Sequence, residues 1–194
     1  MRLNTEATKE ILDKENFDAL IIAVGAEPIF PKIPGIDKQH VSWAVDAELG
    51  NVPVGDKIVI VGAGTIGIEA AIDFKQAGKD VTVIELAEAS SMIMAGGARG
   101  QQLQLIKDLN VPIHYGTALT EIHDDKVIAK TGDAVGEFSA DTVLVAIGMK
   151  SRDDVVKSLC RCAPETSVHI VGDAIEAASI CEAVNTAFQA ALNI

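Results

Sequence analysis

The chain has 194 residues, 48% of them apolar, and 28 acidic against 16 basic side chains give it a formal net charge of −12. That is enough apolar sequence for one large or two small cored domains, and so negative a surface argues against nucleic acid or an anionic membrane as partner. No run of 18 apolar residues occurs, and the opening Met1-Arg-Leu-Asn4 lacks the apolar core of a signal peptide, so a soluble cytoplasmic protein is expected.

The first apolar run, Asp18-Ala-Leu-Ile-Ile-Ala-Val-Gly25, recurs as Asp141-Thr-Val-Leu-Val-Ala-Ile-Gly148. Each reads as a buried parallel strand that ends at a glycine, which suggests two related nucleotide-binding units. Between Ala26 and Asp56, Pro28, Pro31 and Pro34 exclude a regular helix and predict an extended linker at a domain boundary. From Lys57 the pattern is strand, helix (Gly67 to about Ala77) and strand (Asp80 to Glu85). A second helix (about Ala98 to Leu109, with Leu103, Ile106 and Leu109 on one face) and a strand around Val111 to Tyr115 follow. The simplest winding is a right-handed β-α-β-α-β unit. Leu119 to His123 and Lys126 to Ala129 then read as an antiparallel hairpin, with Gly136 to Ser139 as a third strand. After Gly148 comes a polar crossover without defined structure. Ser167 to Gly172 is a further strand, followed by Asp173 and a helical pattern from Glu176 to the end.

One constellation carries chemistry. Lys57-Ile-Val-Ile-Val-Gly62-Ala-Gly64-Thr-Ile-Gly67 is a G-x-G-x-x-G turn that leaves an apolar strand and opens a helix, and Glu85 ends the next strand about 20 residues on. Gly62 allows a tight turn, Gly64 lets the backbone approach a pyrophosphate, and Gly67 lets the helix pack close to the sheet. The helix start then offers free N–H groups and a positive dipole end to the phosphates. Glu85 is placed to accept hydrogen bonds from the adenosine ribose hydroxyls. A carboxylate there repels a 2′-phosphate, and Leu86-Ala87-Glu88 supplies no base, so NAD(H) is expected over NADP(H). The alternative is a glycine turn that binds nothing.

Cys160, Cys162 and Cys181 are too few, and spaced wrongly, for a structural zinc site or a C-x-x-C redox pair, so they read as ordinary loop cysteines. His40, His114, His123 and His169 are scattered singly, and no metallohydrolase or nucleophile motif accompanies them. No catalytic dyad and no metal site is expected.

Together the proline connector, Gly62 to Glu69, Ala23-Val-Gly25, Ala146-Ile-Gly148 and Gly172-Asp173 resemble the flavoprotein reductases with two dinucleotide-binding domains. Within that group, Ile29-Phe-Pro-Lys-Ile-Pro-Gly-Ile-Asp37, Trp43-Ala-Val-Asp46 and Val54-Gly-Asp-Lys57 are similar to the carboxyl-terminal part of the NADH:flavin oxidoreductases, the 2,4-dienoyl-CoA and 2-enoate reductase relatives of old yellow enzyme. The resemblance implies an α/β fold. Residues 53–149 would form a Rossmann-like NAD(P)-binding domain with a central parallel sheet and a β-hairpin or meander insertion. Residues 1–52, which include the connector, and 150–194 would be partial FAD-binding segments. It places Gly62, Ala63, Gly64, Thr65, Ile66, Gly67, Glu69, Glu85 and Gly148 on the NAD site, with Glu69 near the nicotinamide, and Gly25, Gly172 and Asp173 on the FAD site. By itself Glu69 also fits the acid that a first helical turn favours, and Asp173 also fits a helix cap.

The departures matter equally. No G-x-G-x-x-G turn precedes Gly25, Arg2-Leu-Asn-Thr-Glu-Ala-Thr8 resembles an internal stretch of the family, and the chain ends inside a helical pattern at Ile194. The expectation is a fragment of a longer parent, inactive and flavin-free by itself, whose partners are a dinucleotide and the parent's own barrel and remaining flavin domain; a homo-oligomer stays open. The role implied is to position NADH for hydride transfer to FAD. Two alternatives stand beside it: a non-catalytic NAD(H)-sensing module, and part of a pyridine nucleotide-disulfide reductase, whose redox cysteines would lie outside this sequence.

Overall fold

The computed structural model describes residues 1–89, 98–163 and 168–194. In chain order the elements are the one-turn helix α1 (Lys9–Leu12), β1 (Leu20–Ile22), β2 (Ala26–Pro28), β3 (Val41–Trp43), α2 (Ala44–Glu48), β4 (Lys57–Val61), α3 (Thr65–Gln76) and β5 (Asp80–Ile84). They continue with α4 (Ala98–Asp108), β6 (Ile113–His114), β7 (Thr117–Ile122), β8 (Lys126–Thr131), β9 (Ala134–Ser139), β10 (Thr142–Val145), β11 (Met149–Ser151), α5 (Asp153–Cys160), β12 (Val168–Ile170), a 3₁₀ turn (Gly172–Ala174) and α6 (Ile180–Leu192). They fall into two compact units, one made of Met1–Glu27 with Met149–Ile194, the other of Pro28–Gly148.

The larger unit is built on a parallel sheet of order β3-β10-β4-β5-β6. Its central strands are apolar at most positions because both faces are covered. Side chains alternate along a strand, so Ile58, Ile60, Val81, Val83 and Leu144 pack with Ile68, Ala71 and Ile72 of α3, Ile106 of α4 and Ala44 and Ala47 of α2. Val59, Val61, Ile84 and Val143 face the other way, onto Ile122, Val127 and Ala129 of the antiparallel meander β7-β8-β9. Burial of each such Val or Ile contributes about 1.5–3 kcal/mol, so these two layers dominate the unit's stability. The Rossmann-like α/β fold with a meander insertion is thus the observed one.

Asp141, the first residue of the recurring strand pattern, fixes where two strands begin. Its carboxylate accepts the N–H groups of Asp56 and Lys57, each at 3.1 Å, while Thr142 Oγ1 accepts from Gly55 N–H at 2.8 Å. A Cβ on Gly55 would meet the Asp141 carboxylate, so any larger residue there must shift that side chain.

Two stretches differ from expectation. The proline connector is not a free linker: Ile33, Ile36 and Val41 pack into the meander-side core, and Ile122 N–H donates to Pro34 O at 3.0 Å. It also yields β3, which pairs with β10, and α2, which starts only once the prolines are passed. The crossover after Gly148 also has defined structure among its described residues, which include β11 and α5. In α5, Asp153 and Asp154 sit at the positive end of the helix dipole, and Val156 and Leu159, three residues apart, are buried. Cys160 therefore ends a helix and packs in the smaller unit's core rather than lying in a loop, and Cys162 Sγ donates to Ser158 O at 3.4 Å.

The smaller unit pairs β1 and β12 in parallel, in the register Leu20↔Val168 to Ile22↔Ile170. Ile22, Val156, Leu159 and Ala174 form its core. The start of the strand placed at Ser167 lies outside the described residues. Among the described residues no helix is long and apolar enough to cross a membrane.

Candidate functional site

The turn between β4 and α3 has the geometry its glycines imply. Gly62 adopts φ +108°, and a Cβ there would meet Ala146 O at 2.4 Å. A Cβ on Gly67 would collide with the Gly62 carbonyl, so α3 starts as close to the turn as a backbone can come. Gly64 is different: nothing lies within 4 Å of where its Cβ would be. It is the residue before α3, no side chain caps that helix, and the first intrahelical bond runs from Ile68 N–H to Gly64 O. The N–H groups of Thr65, Ile66 and Gly67 are left without intrahelical acceptors at the positive end of a 12-residue helix.

This turn forms one wall of a groove of about 660 Å³ at the carboxyl ends of β4, β5 and β10, which is where open parallel sheets bind ligands. Glu85 and Leu86 line its second side, Thr117 to Leu119 a third, and Ala146 to Gly148 with Pro31 the remainder. Gly148 takes φ +113° and its carbonyl accepts from Ile29 N–H at 3.0 Å. Pro31 and Thr117 to Leu119 carry no local sequence signal; they reach the groove because the docked connector and the meander border it.

Glu85 is fixed by the backbone. One carboxylate oxygen accepts from Ala63 N–H at 2.5 Å, the other from Ala87 N–H at 2.7 Å. A carboxylate has about four lone-pair sites, so acceptor capacity remains for ribose hydroxyls. Arg99, at the start of α4, donates from Nη2 to Ala63 O at 2.7 Å, so the middle residue of the G-x-G turn is gripped by a carboxylate on its N–H and a guanidinium on its carbonyl. Half-buried Tyr115 lies in the field of both groups: burial raises its phenol pKa, Arg99 acts against that rise and Glu85 adds to it.

Glu69 is exposed and does not line the groove. Its carboxylate accepts from Gln102 of α4 at 2.9 Å.

The residues tied to flavin by resemblance come together in the smaller unit. Gly25 (φ +72°), Gly172 (φ +61°) and Asp173 line a cavity of about 360 Å³ with Ala23, Ser179 and Ala183. Gly172 N–H donates to Thr186 Oγ1 at 2.8 Å, and Asp173 accepts from Ala178 N–H at 3.3 Å. Asp173 does not cap α6, whose preceding residue is Ser179, itself hydrogen-bonded to Glu182. Among the described residues no group of three or more His, Cys, Asp or Glu could hold a metal ion.

With this geometry in place, the family model described as pyridine nucleotide-disulphide oxidoreductase matches residues 3–176, and the chain belongs to that family. Cinnamate reductase of Clostridium sporogenes is 29% identical across the whole chain and NADH oxidase of Thermoanaerobacter brockii 27%. The chain spans only 29% and 30% of those relatives' lengths. Among solved structures, 2-naphthoyl-CoA reductase in complex with 2-naphthoyl-CoA matches with a TM-score of 0.89 and 33% identity, over 100% of this chain and 29% of that one. The family and these relatives place the chain in the reductase group with two dinucleotide-binding domains, whose cofactors are NAD(H) and FAD.

Proposed function

We propose that the chain is the pyridine-nucleotide-binding part of an NADH-dependent flavin oxidoreductase of the enoate-reductase and 2,4-dienoyl-CoA-reductase type. Its task is to hold NADH for hydride transfer to FAD. The observation that carries this reading is the open backbone at Gly64, in a groove that also contains an uncapped helix start and the Glu85 carboxylate. Only a ligand that needs close backbone approach, anion binding and a hydroxyl acceptor uses all three. A cinnamate reductase and a naphthoyl-CoA reductase among the similar proteins favour an α,β-unsaturated or aromatic acyl substrate for the whole enzyme.

In this reading the N–H groups of Thr65, Ile66 and Gly67 bind the pyrophosphate, Glu85 accepts the adenosine ribose hydroxyls, and Ala146 to Gly148 bound the rest of the groove. NADH, when bound, supplies the hydride and the flavin is its acceptor. What the chain's residues contribute is alignment, which by itself accounts for several kcal/mol of barrier lowering in such transfers. In the smaller unit Gly25, Gly172 and Asp173 would hold part of FAD, the two glycines by leaving room and the aspartate by accepting hydroxyls. Ile180, Val184, Phe188 and Leu192 recur every fourth residue along α6 and are all exposed. That stripe supports the reading that this unit works against further flavin-domain sequence, as the greater length of the relatives does.

Calorimetric titration of the chain with NADH tests the reading. Saturable binding is expected, and Glu85→Ala should weaken it by about 1–3 kcal/mol, the value of a hydrogen-bonded charged acceptor. An unchanged affinity in that variant would remove Glu85 from the site.

A further inference from the structure

The middle residue of the glycine turn is held by side chains from two other parts of the unit. Ala63 is fully buried; its N–H donates to Glu85, and its carbonyl accepts from Arg99 Nη2 at 2.7 Å. Among the described residues Arg99 is the only donor to that carbonyl. The guanidinium does not line the groove, but the peptide it bonds reaches it. The Ala63 carbonyl and the Gly64 N–H belong to one planar trans unit, in which they point in opposite directions, so fixing one aims the other. Gly64 does line the groove, and its N–H donates to no acceptor among the described residues.

Glycine makes that aim easy to lose. Gly64 sits at φ −67°, and a half-turn of the Ala63–Gly64 peptide would carry it to the positive-φ side, which glycine adopts freely and other residues avoid. Ala63 would only pass between the extended and helical regions, both open to alanine. Flipped, the peptide would present a carbonyl where an N–H had stood, and a carbonyl repels the phosphate oxygens that an N–H binds. Glu85 does not oppose this flip, because the Ala63 N–H that it accepts belongs to the preceding peptide, Gly62–Ala63. That preceding peptide is fixed a second time, since its Gly62 carbonyl lies where a Cβ on Gly67 would fall. The Ala63–Gly64 peptide has Arg99.

We propose that Arg99 is a positioning residue of the dinucleotide groove: by holding the Ala63 carbonyl it locks the Ala63–Gly64 peptide with the Gly64 N–H turned to a bound pyrophosphate. This rests on the nucleotide reading above and adds to it a residue that never touches the ligand.

The test compares the isotope-labelled wild type, Arg99→Met and Arg99→Lys, titrated with NADH and with adenosine and followed by backbone amide resonances. Methionine keeps the packing of the arginine stem and removes the donor, while lysine keeps a charged donor without the fork. Adenosine has the ribose hydroxyls but no phosphate. Arg99→Met should weaken NADH at least about tenfold, the scale of one bond to a charged group, and adenosine less than about twofold. Arg99→Lys should recover part of the NADH affinity. The Gly64 amide resonance should shift on NADH addition in the wild type and in Arg99→Lys and lose that response in Arg99→Met, which a general loosening of the fold would not single out. Equal losses for the two ligands, an unchanged NADH affinity in Arg99→Met, or a Gly64 resonance that answers NADH there as in the wild type would each overturn the proposal. A wild type that binds neither ligand would instead overturn the nucleotide reading itself.

Discussion

Substituting Gly64→Val should destroy nucleotide binding and spare the fold, whereas Gly67→Ala, a smaller change three residues on, should damage the fold. At Gly64 the backbone sits at φ −67° and ψ −173°, which valine accepts, and no atom lies within 4 Å of the new Cβ. The isopropyl group would occupy the wall that a pyrophosphate must touch. Two charge-assisted N–H bonds lost at about 1.5–3 kcal/mol each weaken NADH at least about a hundredfold. At Gly67 the added Cβ would overlap the Gly62 carbonyl oxygen, and Ala146 Cβ lies 3.3 Å away on another side, so helix and turn must part. Overpacking of that kind costs about 1–3 kcal/mol, or several degrees in Tm for a chain of this size. Thermal unfolding followed by circular dichroism, paired with NADH calorimetry, separates the two effects. Native affinity in Gly64→Val would show that the turn is not the phosphate site, and an unchanged Tm in Gly67→Ala that the close contact with the Gly62 carbonyl does not matter.

Two further outcomes concern stability. Asp141→Ala strips acceptors from the N–H groups of Asp56 and Lys57 where β4 begins, so unfolding free energy should fall by about 1–3 kcal/mol in urea titration, with NADH affinity at saturating fold retained. Glu48 has its carboxyl pKa raised by burial, and Asp73 and Glu69 add to the effect. The folded state therefore binds this proton more tightly than the unfolded state. Its contribution is fully favourable below the unfolded value near 4.5 and is lost as pH rises through the folded one. Glu48→Gln should flatten that part of the stability–pH curve and raise stability at pH 7 by a few tenths of a kcal/mol, the scale left after solvent screening of a largely exposed group. A lower Tm at pH 7 would contradict the sign.

The elements legible in the sequence are those whose cause is local. β4, β5 and β10 announce themselves because burial on both faces favours runs rich in Ile, Val and Leu, and α3 because a glycine turn precedes a helical apolar pattern. β3 is three residues long and owes its existence to β10, almost a hundred residues away, so no window around Val41 could show it. β6 shrinks to Ile113–His114 at the sheet edge, where Pro112 is tolerated because only its carbonyl is needed, accepting from Val83 N–H at 2.9 Å. In α5 only Val156 and Leu159 are buried, too few apolar positions in eight residues to stand out against Asp153, Asp154 and Lys157.

The groove divides along the same line. Gly62, Gly64, Gly67 and Glu85 are tied by fixed spacing through one β-α-β unit, and the structure brings Gly62, Gly64 and Glu85 to the groove with Gly67 packed against the Gly62 carbonyl. Arg99 was illegible because its acceptor, the Ala63 carbonyl, is 36 residues earlier in the chain, and nothing near Arg99 in sequence hints at it. Glu69 follows the glycine spacing as closely as Glu85 does, yet Gln102 of α4 takes its carboxylate. Helix α4 thus contacts the start of α3 twice, through Arg99 at Ala63 and through Gln102 at Glu69. A fingerprint read from one β-α-β unit leaves out the charge supplied by the next. The two charged side chains bonded to Ala63, Glu85 after β5 and Arg99 of α4, come from different elements of the unit.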